Sequence, residues 1–145
     1  MNVQTILSAK GTEVATIEPS ATLAAATELL RELGFGALVT SADGRSLDGI
    51  VSERDIVRAL AADGASALDH DVASCMSREV FTCSPSDSID ALMSMMTERR
   101  IRHLPVLANG DLAGMISIGD VVKFRLGELE RENDQLHDYI QGNVS

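Results

Sequence analysis

Polar and apolar positions along the chain follow two alternating rhythms, and the alternation happens twice. Val14-Ala15-Thr16-Ile17, Ala37-Leu38-Val39-Thr40 and Leu47 to Ser52 are short apolar runs bounded by turn-forming residues, a pattern that predicts strands. Between the first two, Leu23, Ala26, Leu29, Leu30 and Leu33 recur at helical spacing. Ser20 or Thr22 can cap that helix, and Gly34 ends it. Ala42-Asp43-Gly44-Arg45 reads as a turn between strands, and Glu53 to Leu60 as a second helix. The rhythm then starts again, with strand Val80 to Cys83, a turn at Pro85, helix Asp87 to Arg100, strand Arg102 to Leu107, a turn at Asn109-Gly110-Asp111, strand Leu112 to Ser117 and a helix opening at Asp120.

The two halves share residues as well as rhythm. At a shift of 66, Val14, Thr16, Pro19, Ser20, Ala25, Glu32 and Leu38 fall on Val80, Thr82, Pro85, Ser86, Ala91, Glu98 and Leu104. After the turn near Gly44 the shift is 65, and Leu47, Gly49, Ser52, Asp55 and Val57 fall on Leu112, Gly114, Ser117, Asp120 and Val122. A single length change inside a loop is what a duplicated unit should show. The fold class expected is α/β (α+β), built from two β-α-β-β-α repeats. Each is too small to bury its sheet and helices alone, so the copies should pack face to face. The boundaries expected are repeat one over 1–62, a linker over 63–76 with one helical turn near Asp71 to Met76, repeat two over 77–126, and a C-terminal helix and tail over 127–145. Val3 to Leu7 reads as one helical turn that Lys10-Gly11 breaks.

The last helix runs past the point where the first copy stops. Val122, Leu126, Leu129, Leu136 and Ile140 form a heptad seam, with Asn133 in its one polar slot. A single polar residue in such a seam fixes register and partner number in paired helices. The seam reads either as a dimerisation arm or as an amphipathic tail lying on its own domain.

Composition narrows the function classes. The 145 residues are 45% hydrophobic but 3% aromatic, so the core must be aliphatic, and Met93, Met95, Met96 and Met115 are expected inside it. A formal net charge of -10 repels a phosphate backbone, which argues against nucleic acid as a partner. No apolar run has the roughly 20 residues of a membrane span, and Met1 to Leu7 lacks the features of a secretion signal, so a cytoplasmic location is expected. Cys75 and Cys83 lack metal or redox spacing and read as reduced thiols. His70, His103 and His137 lie without metal-ligand spacing, no Gly-Lys-Ser/Thr loop occurs, and neither cysteine has a paired base, so no catalysis is expected.

The chemistry-bearing pattern is the duplicated Ser-x-x-Asp at the end of a buried strand, in Gly49 to Asp55 and again in Gly114 to Asp120. Free N–H groups at such a turn favour an anion, and a carboxylate there can accept from a pair of hydroxyls. An Asp in this place can also simply cap its helix. The copies differ in charge. Arg99, Arg100, Arg102 and His103 precede the second strand of copy two, where copy one has Leu33, Gly34, Gly36 and Ala37. Copy one offers Arg54, Arg58 and Lys10. Guanidinium groups suit phosphate, so the Ser117/Asp120 corner is the expected phosphate side, unless the arginines are a solvated helix end or His103 is a core histidine.

Thr16-Ile17-Glu18-Pro19, Phe35-Gly36-Ala37-Leu38-Val39 and Gly49 to Asp55 resemble the motifs of the tandem CBS (cystathionine-β-synthase) domain, or Bateman module. So do Thr82-Cys83-Ser84-Pro85, Arg99 to Val106 and Gly114 to Asp120 in the second copy. The resemblance runs from about Lys10 to Phe124. It implies a pseudo-twofold module that commonly pairs into a disc-like homodimer, is not a catalyst, and binds adenosine-bearing ligands in clefts between the copies. With no attached domain in view, its output would go to an unknown regulated protein. Carried over, Asp55 and Asp120 accept from ribose hydroxyls, and Ser52 and Ser117 bond phosphate or ribose. Thr16, Ile17, Thr82 and Cys83 edge the adenine, with Ala37 and His103 on the second strands. Pro105 beside His103, and Arg54 and Arg102 from the charge reading, complete the expected ligand-binding set. No cofactor is required on this reading, and AMP is the ligand expected first among AMP, ADP and ATP. The alternatives are a ligand-independent dimeric adaptor and a binder of S-adenosylmethionine or a dinucleotide such as NAD.

Overall fold

The computed structural model describes residues 1–140, so the end of the expected tail, 141–145, lies outside the described residues. In chain order the elements are α1 (Val3–Lys10), β1 (Thr16–Ile17), α2 (Leu23–Leu33), β2 (Ala37–Thr40), β3 (Gly49–Ser52), α3 (Glu53–Asp63), a 3-10 helix (Gly64–Asp69), α4 (Val72–Cys75), α5 (Ile89–Arg99), β4 (His103–Ala108), β5 (Asp111–Ser117) and α6 (Ile118–Ile140). The first sheet has the order β1-β2-β3, with β1 parallel to β2 and β2 antiparallel to β3. The second sheet pairs β4 with β5 antiparallel.

The duplicated architecture is present, with one reduction. The strand expected over Val80 to Cys83 is a single parallel bridge, in which Cys83 N–H donates to Pro105 C=O at 3.0 Å and Leu107 N–H to Cys83 C=O at 2.9 Å. Its counterpart β1 has only two residues, so both copies keep just enough backbone here to close the sheet edge. The helix caps follow the sequence. Thr22 and Ser88 accept from the N–H groups of Ala25 and Ala91. α2 ends at Gly34 with φ 69°, and α5 ends at the equivalent Arg100, which takes the same left-handed conformation at φ 55°.

The crossing of segments between the copies is absent from the sequence reading. Val3, Ile6 and Leu7 of α1 are buried in the core of the second copy, among Ile89, Leu92, Leu104 and Ile116. Val72 and Met76, from the linker, are buried in the first core with Leu23, Leu30, Leu38 and Val51. The backbone bonds are equivalent. Val3 N–H donates to Asp87 C=O and Gln4 N–H to Pro85 C=O, while Val72 N–H donates to Ala21 C=O and Ala73 N–H to Pro19 C=O. Asp87 and Pro85 lie 66 residues after Ala21 and Pro19. Each copy's leading helix therefore docks on its sister, and the halves are interlocked.

The two glycines at the same repeat position explain themselves here. A Cβ on Gly49 would lie 2.6 Å from the Ser77 carbonyl oxygen, and one on Gly114 would lie 2.6 Å from Leu7 Cδ2. Both positions are bare where the sister's crossing segment passes. The methionine expectation is corrected in part: Met96 is buried, but Met93 is 37% exposed beside Arg125, and Met115 faces a cleft.

Candidate functional site

The two Ser-x-x-Asp corners fold alike because the bonds that make them are local. Ser52 N–H donates to Asp55 Oδ2 at 2.8 Å and Asp55 N–H to Ser52 Oγ at 3.3 Å. Ser117 N–H donates to Asp120 Oδ2 at 2.9 Å and Asp120 N–H to Ser117 Oγ at 3.2 Å. Both are reciprocal capping boxes, so each Asp does tie off a helix start. The corners differ in what else they face.

The second of them opens on a cleft of about 800 Å³ lined by Lys10 to Glu13, Ala15 and Gly34 to Ala37 from one side, and by His103, Met115, Ser117 and Asp120 from the other. Both copies contribute walls. A methyl placed on Gly36 would come within 3.2 Å of His103 Cε1, which shows how closely the walls approach at one end. Docking of α1 on the second core carries Lys10 to this cleft. Its Nζ donates to Asp120 Oδ2 at 2.6 Å and to the Met115 carbonyl at 2.8 Å.

The electrostatics follow from those contacts. Burial raises the Asp120 carboxyl, but the Lys10 ammonium and the Ser117 donors outweigh it and hold the group below the ordinary carboxylate value. Burial lowers His103 by more than Asp120 and Glu53 raise it, so its imidazole is neutral at neutral pH. The ionised lining is then one cation, Lys10, against two carboxylates, Glu13 and Asp120.

A second depression of about 580 Å³ holds Arg54, Arg100 and Arg102 with Met96, Thr97, Ile101 and Ile118. The arginines expected to serve the Asp120 corner thus gather elsewhere, and Arg99 stacks on Phe81 at 4.8 Å from the ring centroid. Ser52 and Asp55 line neither cavity. Thr16, Ile17 and Thr82 are half-buried, and Thr16 and Ile17 pair with Val39 and Thr40. Cys83 and Pro105 are interior. Cys83 is 5% exposed, its Sγ is 3.8 Å from the Pro105 carbonyl, and burial pushes the thiol up to about 12. Of the residues expected from the sequence, the structure brings Ala37, His103, Ser117 and Asp120 together, and Arg54 with Arg102.

Thr12, Glu13, Phe35 and Met115 are cleft residues that the sequence reading missed. Lys10, expected to serve the first copy's corner, lies at the second copy's corner instead. Phe35 and Met115 belong to the repeated motifs, whereas no sequence signal marks Thr12 and Glu13, which α1 carries to the cleft by docking across the pair.

The CBS domain family matches residues 10–62 and again residues 71–127. The chain belongs to the CBS domain family, as a tandem pair. This CBS pair is 36% identical over 121 residues to the mitochondrial CBS domain-containing protein CBSX3 of Arabidopsis thaliana, covering 81% of this chain and 59% of that one. It is 30% identical to the CBS domain-containing protein YhcV of Bacillus subtilis, covering 76% and 77% of the two chains. Among solved structures, a CBS-domain containing protein from Agrobacterium tumefaciens superposes with a TM-score of 0.82 at 43% identity, covering 86% of this chain and 92% of that one. The chain thus spans about three fifths of the Arabidopsis relative it matches. CBS pairs are in general regulatory modules rather than catalysts. No helix among the described residues is long and apolar enough to cross a membrane.

Proposed function

We propose that the cleft between the copies binds an adenosine-containing ligand, and that a homodimer of this CBS pair passes its occupancy to a regulated protein. The observation that carries the reading is the Asp120 carboxylate, held ionised at the wall of an 800 Å³ cleft that both copies build. A carboxylate has about four lone-pair sites. Lys10 and Ser117 both bond Oδ2, so Oδ1 remains to accept a ribose hydroxyl. Ala15, Ala37 and Met115 supply apolar surface for a base, and the neutral His103 offers one donor and one acceptor.

Which adenosine ligand binds depends on charge. AMP uses Lys10 as its phosphate partner. A phosphate-free or cationic ligand such as S-adenosylmethionine is favoured by the two carboxylates against one lysine, and by the removal of the arginines to another depression. The CBS domain pair of protein MJ0100 was solved with 5-methylthioadenosine and S-adenosyl-L-methionine, and at 22% identity it shares the fold with this chain.

Thermal shift and calorimetry with AMP, ADP, ATP, NAD, S-adenosylmethionine and 5-methylthioadenosine test the proposal. At least one ligand should raise the melting temperature by mass action, and Asp120→Asn should remove most of that rise. A flat response to the whole panel would overturn it.

A further inference from the structure

The outer face of α6 has no packing partner among the described residues. Val122 is 50% exposed, Leu126 55%, Leu129 60%, Leu136 58% and Ile140 73%. The contacts α6 makes with its own domain use a different stripe. Val121 is fully buried, Phe124 packs on the second core, and Arg125 pairs with Asp90 of α5 and with Glu128. At 3.6 residues per turn the two stripes lie roughly 110° apart around the helix. Residues 129–137 are all exposed, so the reading of α6 as a tail lying on its own domain does not fit.

We propose that the α6 seam pairs with the α6 of a second copy as a parallel, in-register two-stranded coiled coil. The inference deepens the homodimer named above and rests on that reading. In heptad terms Val122, Leu129 and Leu136 are d positions, and Leu126, Asn133 and Ile140 are a positions. Asn133 decides direction. Parallel pairing sets its amide against the same amide of the other copy, where each has a hydrogen-bond partner, while antiparallel pairing sets it against leucine. A depression of about 590 Å³, lined by Gly119, Val122, Leu126 and Gly127, lies at the domain end of this face.

Area supports a second copy as the occupant. At the exposures above, the five seam side chains present on the order of 500 Å² per protomer, so pairing removes on the order of 1,000 Å², about the lower bound for a specific interface. Such a contact is isologous and closes at two, with the two domains flanking the helix pair on opposite sides.

The test uses the full chain. Sedimentation equilibrium should give a dimer for the wild type and a monomer for the double variant Leu129→Asp, Leu136→Asp. That variant's unchanged ligand-induced thermal shift would separate loss of pairing from loss of the cleft. In a Cys75→Ser background, Asn133→Cys should form an intermolecular disulfide on mild oxidation, whereas Arg131→Cys, on the outer face, should not. A monomeric wild type, a double variant that stays dimeric, or a dimer whose position 133 does not cross-link would each overturn the proposal.

Discussion

Gly49 and Gly114 occupy the same repeat position, yet alanine should cost very different amounts at the two. At Gly49 a methyl would stand 2.6 Å from the Ser77 carbonyl oxygen and 3.0 Å from both Met76 Sδ and Thr40 Oγ1. Ser77 cannot easily move, because its N–H donates to Ile50 C=O at 2.8 Å and its C=O accepts from Ile50 N–H at 2.9 Å. Overpacking against fixed atoms costs about 3 kcal/mol, the top of the usual range. Losing strand glycine entropy returns about 0.5–1 kcal/mol, so the net loss should be about 2 kcal/mol. At roughly 2–4 °C per kcal/mol for a chain of this size, Gly49→Ala should lower Tm by about 4–8 °C. At Gly114 the obstacle is Leu7 Cδ2 at 2.6 Å, the end of a side chain that can change rotamer, so overpacking costs about 1 kcal/mol and the entropy gain nearly cancels it. Gly114→Ala should therefore stay within about 2 °C of wild type. Calorimetric scans of the two single variants decide the matter. Equal Tm losses, or the larger loss at Gly114, would refute the account of interlocked segments passing over bare strand positions.

Two further outcomes follow from the buried titratable groups. His103 has its pKa lowered from 6.5 mainly by burial, so the unfolded chain takes up its proton first as pH falls. Its contribution is therefore complete above pH 6.5 and is lost as pH drops through the lowered value. His103→Gln should flatten the stability-versus-pH curve between pH 6.5 and that lowered value in urea melts at matched pH, and superimposable curves would refute this. Cys83, with its thiol pushed up to about 12, should resist a thiol reagent in the native protein while the half-buried Cys75 reacts. Labelling at Cys83 as fast as at Cys75 would mean that the second core opens far more readily than its packing implies.

Much of this CBS pair was determined by the sequence alone, because the deciding interactions are local. Helix spacing, the caps at Thr22 and Ser88, the left-handed stop at Gly34 and the two Ser-x-x-Asp boxes depend on residues three or four apart. A repeat of local signals at a constant shift then identified two copies of one unit. Tertiary structure alone decided what surrounds each of the two corners. Lys10 reaches Asp120 across 110 residues of sequence because Leu7, three positions earlier, is buried in the sister's core. No periodicity carries that information. The same packing gave one Ser-x-x-Asp corner a cleft, left the Ser52 and Asp55 corner off it, drew Arg54, Arg100 and Arg102 into another depression, and closed Cys83 and Pro105 inside. Equivalent sequence positions acquire unequal surroundings whenever the segments that cover them differ, and here those are the eight-residue α1 and the four-residue α4.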